Sequence, residues 1–179
     1  ANVRFVVTEG YIASVRLSRD IGPAGVKVLA LLEHMVNRRP LANAEMERWL
    51  LLAQQVSGVK LRAILQNANR EPGALTLIAD VSRQVVSAMA SGDNRGYEHT
   101  GPEEVLAVAH LNSFTSLGER TDLVYYHTAG NTDNFGQVSE NIFLGSSGLQ
   151  FHIYGGMGRA APSGVLREID YHSQVVSFG

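Results

Sequence analysis

The sequence contains side chains that could do chemistry, but they lack the spacing that such chemistry needs. Six histidines occur among the 179 residues: His34, His99, His110, His127, His152 and His172. No two of them are four residues apart on an expected helix, and the HExxH pattern is absent. The absence of cysteine excludes disulfides, thiolate zinc sites and a cysteine nucleophile. We therefore expect surface-facing or lumen-facing histidines and no bound metal.

Three other groups of residues give no support to catalysis. Glu103 and Glu104 are adjacent in a turn-like stretch, whereas glycosidase chemistry needs two carboxylates that flank a substrate. No serine lies in a GxSxG nucleophile elbow. The glycine-rich residues 155–164 do not match a phosphate-binding loop and predict a flexible hairpin connection. We interpret the chain as a protein that is not an enzyme and that needs no cofactor.

Composition narrows the classes of partner. A formal net charge of -2 and a pI near 6.3 provide no basic field for nucleic acid. No apolar run approaches the ~18 residues of a membrane-spanning helix. The start of the sequence shows no signal-peptide pattern. The strand-like pattern continues to Gly179, which predicts that the chain is a piece of a longer protein.

The first half of the chain alternates strand and helix patterns. A first strand is followed by two amphipathic helices, over residues 21–40 and 43–57, and Gly58 is the expected stop of the second helix. From Val59 the apolar residues fall on every second position, and Pro72–Gly73 predicts the turn of a hairpin. The expected order is β-α-α-β-β, in which two helices cover one face of a three-stranded sheet.

The second half reads as six strands separated by polar turns. Alternation is clearest over residues 149–154, where Leu149, Phe151 and Ile153 share one side of the strand. A soluble sandwich and a lipid-facing barrel both show this pattern. Bacterial single-chain barrels need at least eight strands. If the strands belong to a barrel, the chain therefore carries only part of it.

The order of several short motifs resembles the haemolysin-activator type of outer-membrane transporter in two-partner secretion. Each motif consists mostly of residues that favour turns and is not specific by itself. The resemblance is specific because the motifs occur in the same order over nearly the whole chain. The matching residues are Arg39–Pro40–Leu41, Glu47–Arg48, Leu50–Leu51–Leu52, Gly58–Val59, Pro72–Gly73, Asp93–Asn94–Arg95–Gly96, Gly101 and Gly118–Glu119. Most of the family's first POTRA domain and its later barrel strands have no counterpart here.

This resemblance implies a division into three parts. Residues 1–10 would be the end of a preceding POTRA domain, and residues 11–84 would be a POTRA domain in the periplasm. Residues 85–179 would be the N-terminal antiparallel strands of an incomplete outer-membrane β-barrel. The implied function is translocation of a partner exoprotein across the bacterial outer membrane, with that exoprotein and outer-membrane lipid as partners.

A strand with alternating basic and apolar residues is the predicted partner-binding site. Lys60, Leu61, Arg62 and Ile64 lie on it, and basic residues protect an exposed sheet edge from aggregation. The same edge can accept an added strand from an extended client, and the resemblance favours this use. Trp49, on the second helix, is expected in the core or as an anchor in a peptide-binding groove.

Two other classes of protein stay open at this point. The first is a soluble α+β protein-binding or adhesin-like module whose C-terminal half is a β-sandwich. The second, less favoured, is an enzyme. An isolated part of a barrel would leave its sheet edges uncovered, so self-association of the chain is a further expectation.

Overall fold

In the computed structural model of the protein, residues 3–4, 8–68 and 71–179 are described. Within residues 1–10, the expected end of a preceding POTRA domain, positions 1–2 and 5–7 lie outside the described residues. The described part of the chain forms two α-helices and nine strands in two sheets. The elements are β1 (Tyr11–Leu17), α1 (Pro23–Leu32), α2 (Asn43–Gln54), β2 (Val59–Asn67), β3 (Ala74–Arg83), β4 (Val86–Asp93), β5 (Glu104–Asn112), β6 (Arg120–Thr128), β7 (Asp133–Leu144), β8 (Leu149–Ala160) and β9 (Tyr171–Phe178).

Residues 11–83 form a layer of two helices on a three-stranded sheet, which we call the α/β unit. The strand order is β1-β3-β2. β1 is parallel to β3, and β2 is antiparallel to it. The apolar stripes of both helices meet the inner face of the sheet because this arrangement removes both from water. Fully buried side chains at this contact include Ile12, Val28, Leu31, Leu32, Met35, Val56 and Leu77.

The first helix is shorter than the sequence predicts. It ends at Leu32 and continues only as a 3-10 turn, Glu33–Met35. Val36 is extended and bridges Ile12, and the Asn37 N–H donates to the Ile12 carbonyl at 2.8 Å. The helix stops there because the chain turns to lie along the start of β1. This contact covers part of the β1 edge of the sheet.

The second helix ends at Gln54, three residues before its predicted end, and Gly58 makes the turn into β2 as expected. Gly58 has a φ of +74°, and a Cβ atom there would lie 2.3 Å from the Gln84 carbonyl oxygen. Both features require glycine. At the other end, the sequence predicts Asn43 as the N-cap, but Asn43 is the first helical residue, and the N-cap, Ala42, makes no side-chain capping bond.

Strands β4 to β9 pair with their sequence neighbours in one antiparallel sheet, which we call the large sheet. Among the described residues, β4 and β9 each leave one edge unpaired. The sandwich alternative requires two packed sheets, so the single sheet contradicts it. The connection predicted over residues 155–164 is also wrong for residues 155–160, which belong to β8. Gly156 and Gly158 lie beneath the ring of Phe135 on β7, and this packing explains glycine inside the strand.

Candidate functional site

One face of the large sheet is apolar and exposed. The strand registers place alternate residues on the same face. This apolar face carries Ala88, Ala90, Ala107, Ala109, Leu123, Tyr125, Val138, Ile153, Met157 and Val176. Val138, Met157 and Val176 are 49%, 69% and 77% exposed. A contiguous apolar surface of this kind marks a membrane or protein contact.

Polar side chains bound this apolar band at two ends. At one end Thr121 donates its hydroxyl to Glu140 at 2.6 Å. At the opposite end of the same strands, the His127 ring nitrogen contacts the Asn134 amide oxygen. Polar margins around an apolar band are the pattern expected where a strand passes from hydrocarbon to water.

The opposite face of the large sheet carries charged and polar side chains together with apolar ones such as Val124. His110 Nδ1 lies 2.6 Å from Asp122 Oδ1, and the Arg120 guanidinium donates to the same oxygen at 2.6 Å. Further along, the Tyr126 hydroxyl donates to Glu104 at 2.7 Å. This His–Asp–Arg cluster was not predictable from the spacing of its residues along the chain. The only sign of the cluster in the sequence is that all three residues have even numbers, so that they can lie on one face of neighbouring strands. The register between β5 and β6 is needed to show that they do.

The α/β unit contacts one end of the large sheet, which we call the near end. The Arg83 guanidinium donates to the carbonyl of Ser113 at 2.7 Å, and Lys27 Nζ donates to the carbonyl of Gly145 at 3.0 Å. Phe143 on β7 is only 2% exposed and belongs to the core of the α/β unit. The two parts of the chain therefore share one apolar core.

The turn between β5 and β6 is held rigid where it meets the α/β unit. Glu119 accepts bonds from the backbone N–H and the hydroxyl of Thr115, at 2.6 and 2.7 Å. Burial opposes ionisation of Glu119, but these bonds outweigh it and hold the pKa of the carboxyl below its usual value. The adjacent Ser113 hydroxyl donates to the Ser57 carbonyl at 2.7 Å. The ionised glutamate thus stabilises the turn that touches the α/β unit.

Four of the predicted partner-binding residues, Lys60, Leu61, Arg62 and Ile64, lie together on β2. This strand is at the edge of the three-stranded sheet of the α/β unit. Lys60 and Arg62 are exposed, and Ile64 is 42% exposed. These three point away from the helices, whereas Leu61 points towards them and packs against the core. No observation tests their binding role, which stays a prediction.

Trp49 is part of the helical core. Its side chain is 8% exposed, and its ring stacks on His34 with the centroids 4.2 Å apart. The Arg48 guanidinium lies 5.1 Å from the ring centroid. The packing interpretation agrees with this burial, and a role of Trp49 in partner binding stays a prediction.

Two other kinds of feature are absent from the described residues. No group of three or more histidine or carboxylate side chains in that part of the chain is placed to hold a metal ion. Among the same residues, no helix has the length and apolar composition that a membrane-spanning helix requires.

Solved outer-membrane proteins share this fold. CdiB from Escherichia coli aligns with a TM-score of 0.70 at 13% identity, over 93% of this chain and 31% of that one. CdiB from Acinetobacter baumannii gives 0.55 at 14% identity, over 86% and 29%. BamA from Haemophilus ducreyi lacking POTRA domains 1–3 gives 0.54 at 9% identity, over 84% and 28%. The chain thus spans about three tenths of each of these structures.

These matches confirm, at the level of the fold, the resemblance inferred from the sequence. CdiB proteins are two-partner secretion transporters, and CdiB and BamA are both outer-membrane proteins of the Omp85 family. No protein-family model and no curated protein sequence matches the chain. At 9–14% identity these matches show a shared fold.

Proposed function

We propose that the chain is part of an outer-membrane transporter that exports a partner polypeptide. The observation that carries the proposal is the large sheet, six antiparallel strands with one exposed apolar face and an opposite, more polar face. In this assignment the apolar face contacts lipid and the polar face lines the pore. CdiB proteins, which share the fold, transport a partner exoprotein.

We assign the α/β unit as a POTRA domain on the periplasmic side. Its strand–helix–helix–strand–strand order and its position at the near end of the large sheet support this assignment. The connections at the near end are residues 113–119 and 145–148, whereas the far end carries the two longest connections, 94–103 and 161–170, together with the short turn 129–132. Outer-membrane barrels have short periplasmic turns and longer extracellular loops. The near end is therefore the periplasmic end.

In this function β2 binds the client as it arrives in extended form. An exposed sheet edge binds an extended chain through backbone hydrogen bonds, which work for many sequences. The competing edge, β1, is partly covered by the bridge from Val36 to Ile12. Lys60 and Arg62 keep the free edge from pairing with copies of itself by charge repulsion.

A secretion assay with a proline substitution tests both halves of the proposal. Deletion of the gene should remove one secreted polypeptide, the client, from the culture medium. Ala63→Pro should lower release of that polypeptide at unchanged abundance of the transporter, because proline removes a backbone N–H that points outward from the edge. Ala63→Gly, which keeps the N–H, is the matched control and should secrete normally.

The position of the proline matters for this test. The sequence pattern alone suggests Arg62 as the site, but its N–H faces β3 in the observed register, and Arg62→Pro would damage the sheet itself. A deletion that leaves the secreted proteins unchanged would contradict the transport function. Normal secretion by Ala63→Pro, with a clear effect of the deletion, would contradict only the role of β2.

A further inference from the structure

The hydrogen-bond register of β2 determines which of its backbone groups are open to a partner. The Ala68 N–H donates to the carbonyl of Ala74 at 2.9 Å, and the Gln84 N–H donates to the carbonyl of Gly58 at 2.8 Å. Bonded and non-bonded pairs alternate in an antiparallel ladder. Even-numbered residues of β2 therefore bond to β3, and the backbone groups of Leu61, Ala63 and Leu65 point outward.

The part of this edge closest to the large sheet is already occupied by the chain itself. Gln54 is the last residue of α2, and its side-chain Nε2 donates to the Leu61 carbonyl at 3.3 Å. The Val59 N–H donates to the Val56 carbonyl at 3.0 Å. With respect to the described residues, the uncovered stretch of the edge consequently begins at Ala63 and ends at Asn67.

This uncovered stretch exposes apolar side chains on both faces of the sheet. Ile64 is 42% exposed on the open face, and Leu65 is 46% exposed on the helix side. A strand added here can cover both with its own alternate side chains. An apolar residue on each face of the client segment would remove this surface from water.

Charge on the open face adds a second requirement. Asp80 is the cross-strand neighbour of Arg62, but it accepts a bond from the Ser18 hydroxyl at 2.8 Å and lies 3.9 Å from the Arg19 guanidinium. Arg62 and Lys60 remain exposed beside the uncovered stretch. A carboxylate on an added strand is complementary to this pair of cations.

We propose that Gln54 confines strand addition to residues 63–67, and that the segment accepted there is a short extended stretch of the client with apolar residues and an acidic side chain facing Arg62. This inference rests on the proposed role of β2 in client binding. The Gln54 side chain occupies the Leu61 carbonyl of the edge and so limits the length of the added strand. The positive charge of Arg62 favours an acidic side chain on the added strand and so selects the charge of the client segment.

Peptide binding to the whole chain in detergent micelles tests the length limit. The probes are blocked peptides of five and nine residues, built from valine and threonine with valine on both faces of the extended strand, that carry one aspartate and bear an uncharged fluorophore for anisotropy. Wild-type protein should bind the two lengths with similar affinity. Gln54→Ala should bind the nine-residue peptide about threefold to tenfold more tightly, because the freed Leu61 carbonyl adds a backbone hydrogen bond.

The neighbouring glutamine supplies the matched control. Gln55 bonds to Gln150 at 3.0 Å rather than to the edge, and Gln55→Ala should leave both affinities unchanged. Replacing the peptide aspartate by lysine should weaken binding by about twofold to fivefold at low salt, and Arg62→Gln should abolish this difference.

The outcomes separate this inference from the proposed function. If Ala63→Pro does not weaken peptide binding, or no peptide binds, this inference and the proposed role of β2 both fail, whereas the transport function is tested separately by the gene deletion. If Ala63→Pro abolishes binding and Gln54→Ala has no effect on the longer peptide, only the length limit is overturned. An equal preference for aspartate and lysine in wild-type protein overturns the charge requirement.

Discussion

Phe143 offers the sharpest test of the junction between the two parts of the chain. It belongs to β7 in the large sheet, yet it is 2% exposed within the core of the α/β unit. Replacing a buried phenylalanine with alanine removes its transfer free energy and leaves a cavity, which together cost about 3–5 kcal/mol. Phe143→Ala should therefore lower the free energy of unfolding of the α/β unit by about this amount, although the substitution lies outside that unit.

Trp49 is a built-in reporter for this experiment, because it is the only tryptophan and lies in the same core. Urea titrations of the whole chain in detergent, followed by Trp49 fluorescence, give the unfolding midpoint of the α/β unit. Phe135→Ala is the matched control, since Phe135 lies on the same strand but packs on Gly156 and Gly158. Phe143→Leu, with an expected loss of ~1 kcal/mol, serves if the alanine variant does not fold. Equal midpoints for the Phe143 variants and wild-type protein would refute the shared core.

Two further predictions concern the turns at the near end. Gly118 and Gly145 both have a φ of +69°, but a Cβ at Gly118 would lie 3.0 Å from Lys27 Cγ, whereas one at Gly145 meets nothing within 4 Å. Both alanine variants should lose ~1–2 kcal/mol from backbone strain, and Gly118→Ala should lose more in the same urea assay; equal losses would contradict the close packing. Glu119→Gln should cost ~1–2 kcal/mol at pH 7. The lowered pKa of Glu119 means that its stabilisation is present above the ordinary value of 4.5 and is lost as the pH falls through the folded-state pKa. The two proteins should converge in stability in acid, and a constant difference down to pH 2 would refute this.

The periodic parts of the fold were predictable from the sequence because their signals are local. The alternation over residues 149–154 and the turn at Gly58 depend on neighbours in the chain, and the structure places strands and a positive φ there. The early end of α1 was not predictable, because Val36 leaves the helix to pair with Ile12. That contact is tertiary and outweighs helix propensity.

The junction was beyond sequence reasoning for the same physical reason. Lys27 and Gly145 meet across more than a hundred positions of the chain, and no spacing rule joins them. The edge strand was foreseen as a surface with Lys60 and Arg62, but the direction of its backbone groups depends on the register with β3. The covering of Leu61 by Gln54 follows only from that register.

The central claim, that the apolar face of the large sheet contacts lipid, can be measured directly on adjacent residues. Leu123 and Val124 follow one another on β6 and face opposite sides of the sheet. Because the chain has no cysteine, Leu123→Cys and Val124→Cys can each carry one fluorophore in the protein inserted into lipid vesicles. We predict that brominated lipid tails quench the label at position 123 and that aqueous iodide quenches the label at position 124. Equal quenching at both positions, or iodide access to position 123, would contradict the account.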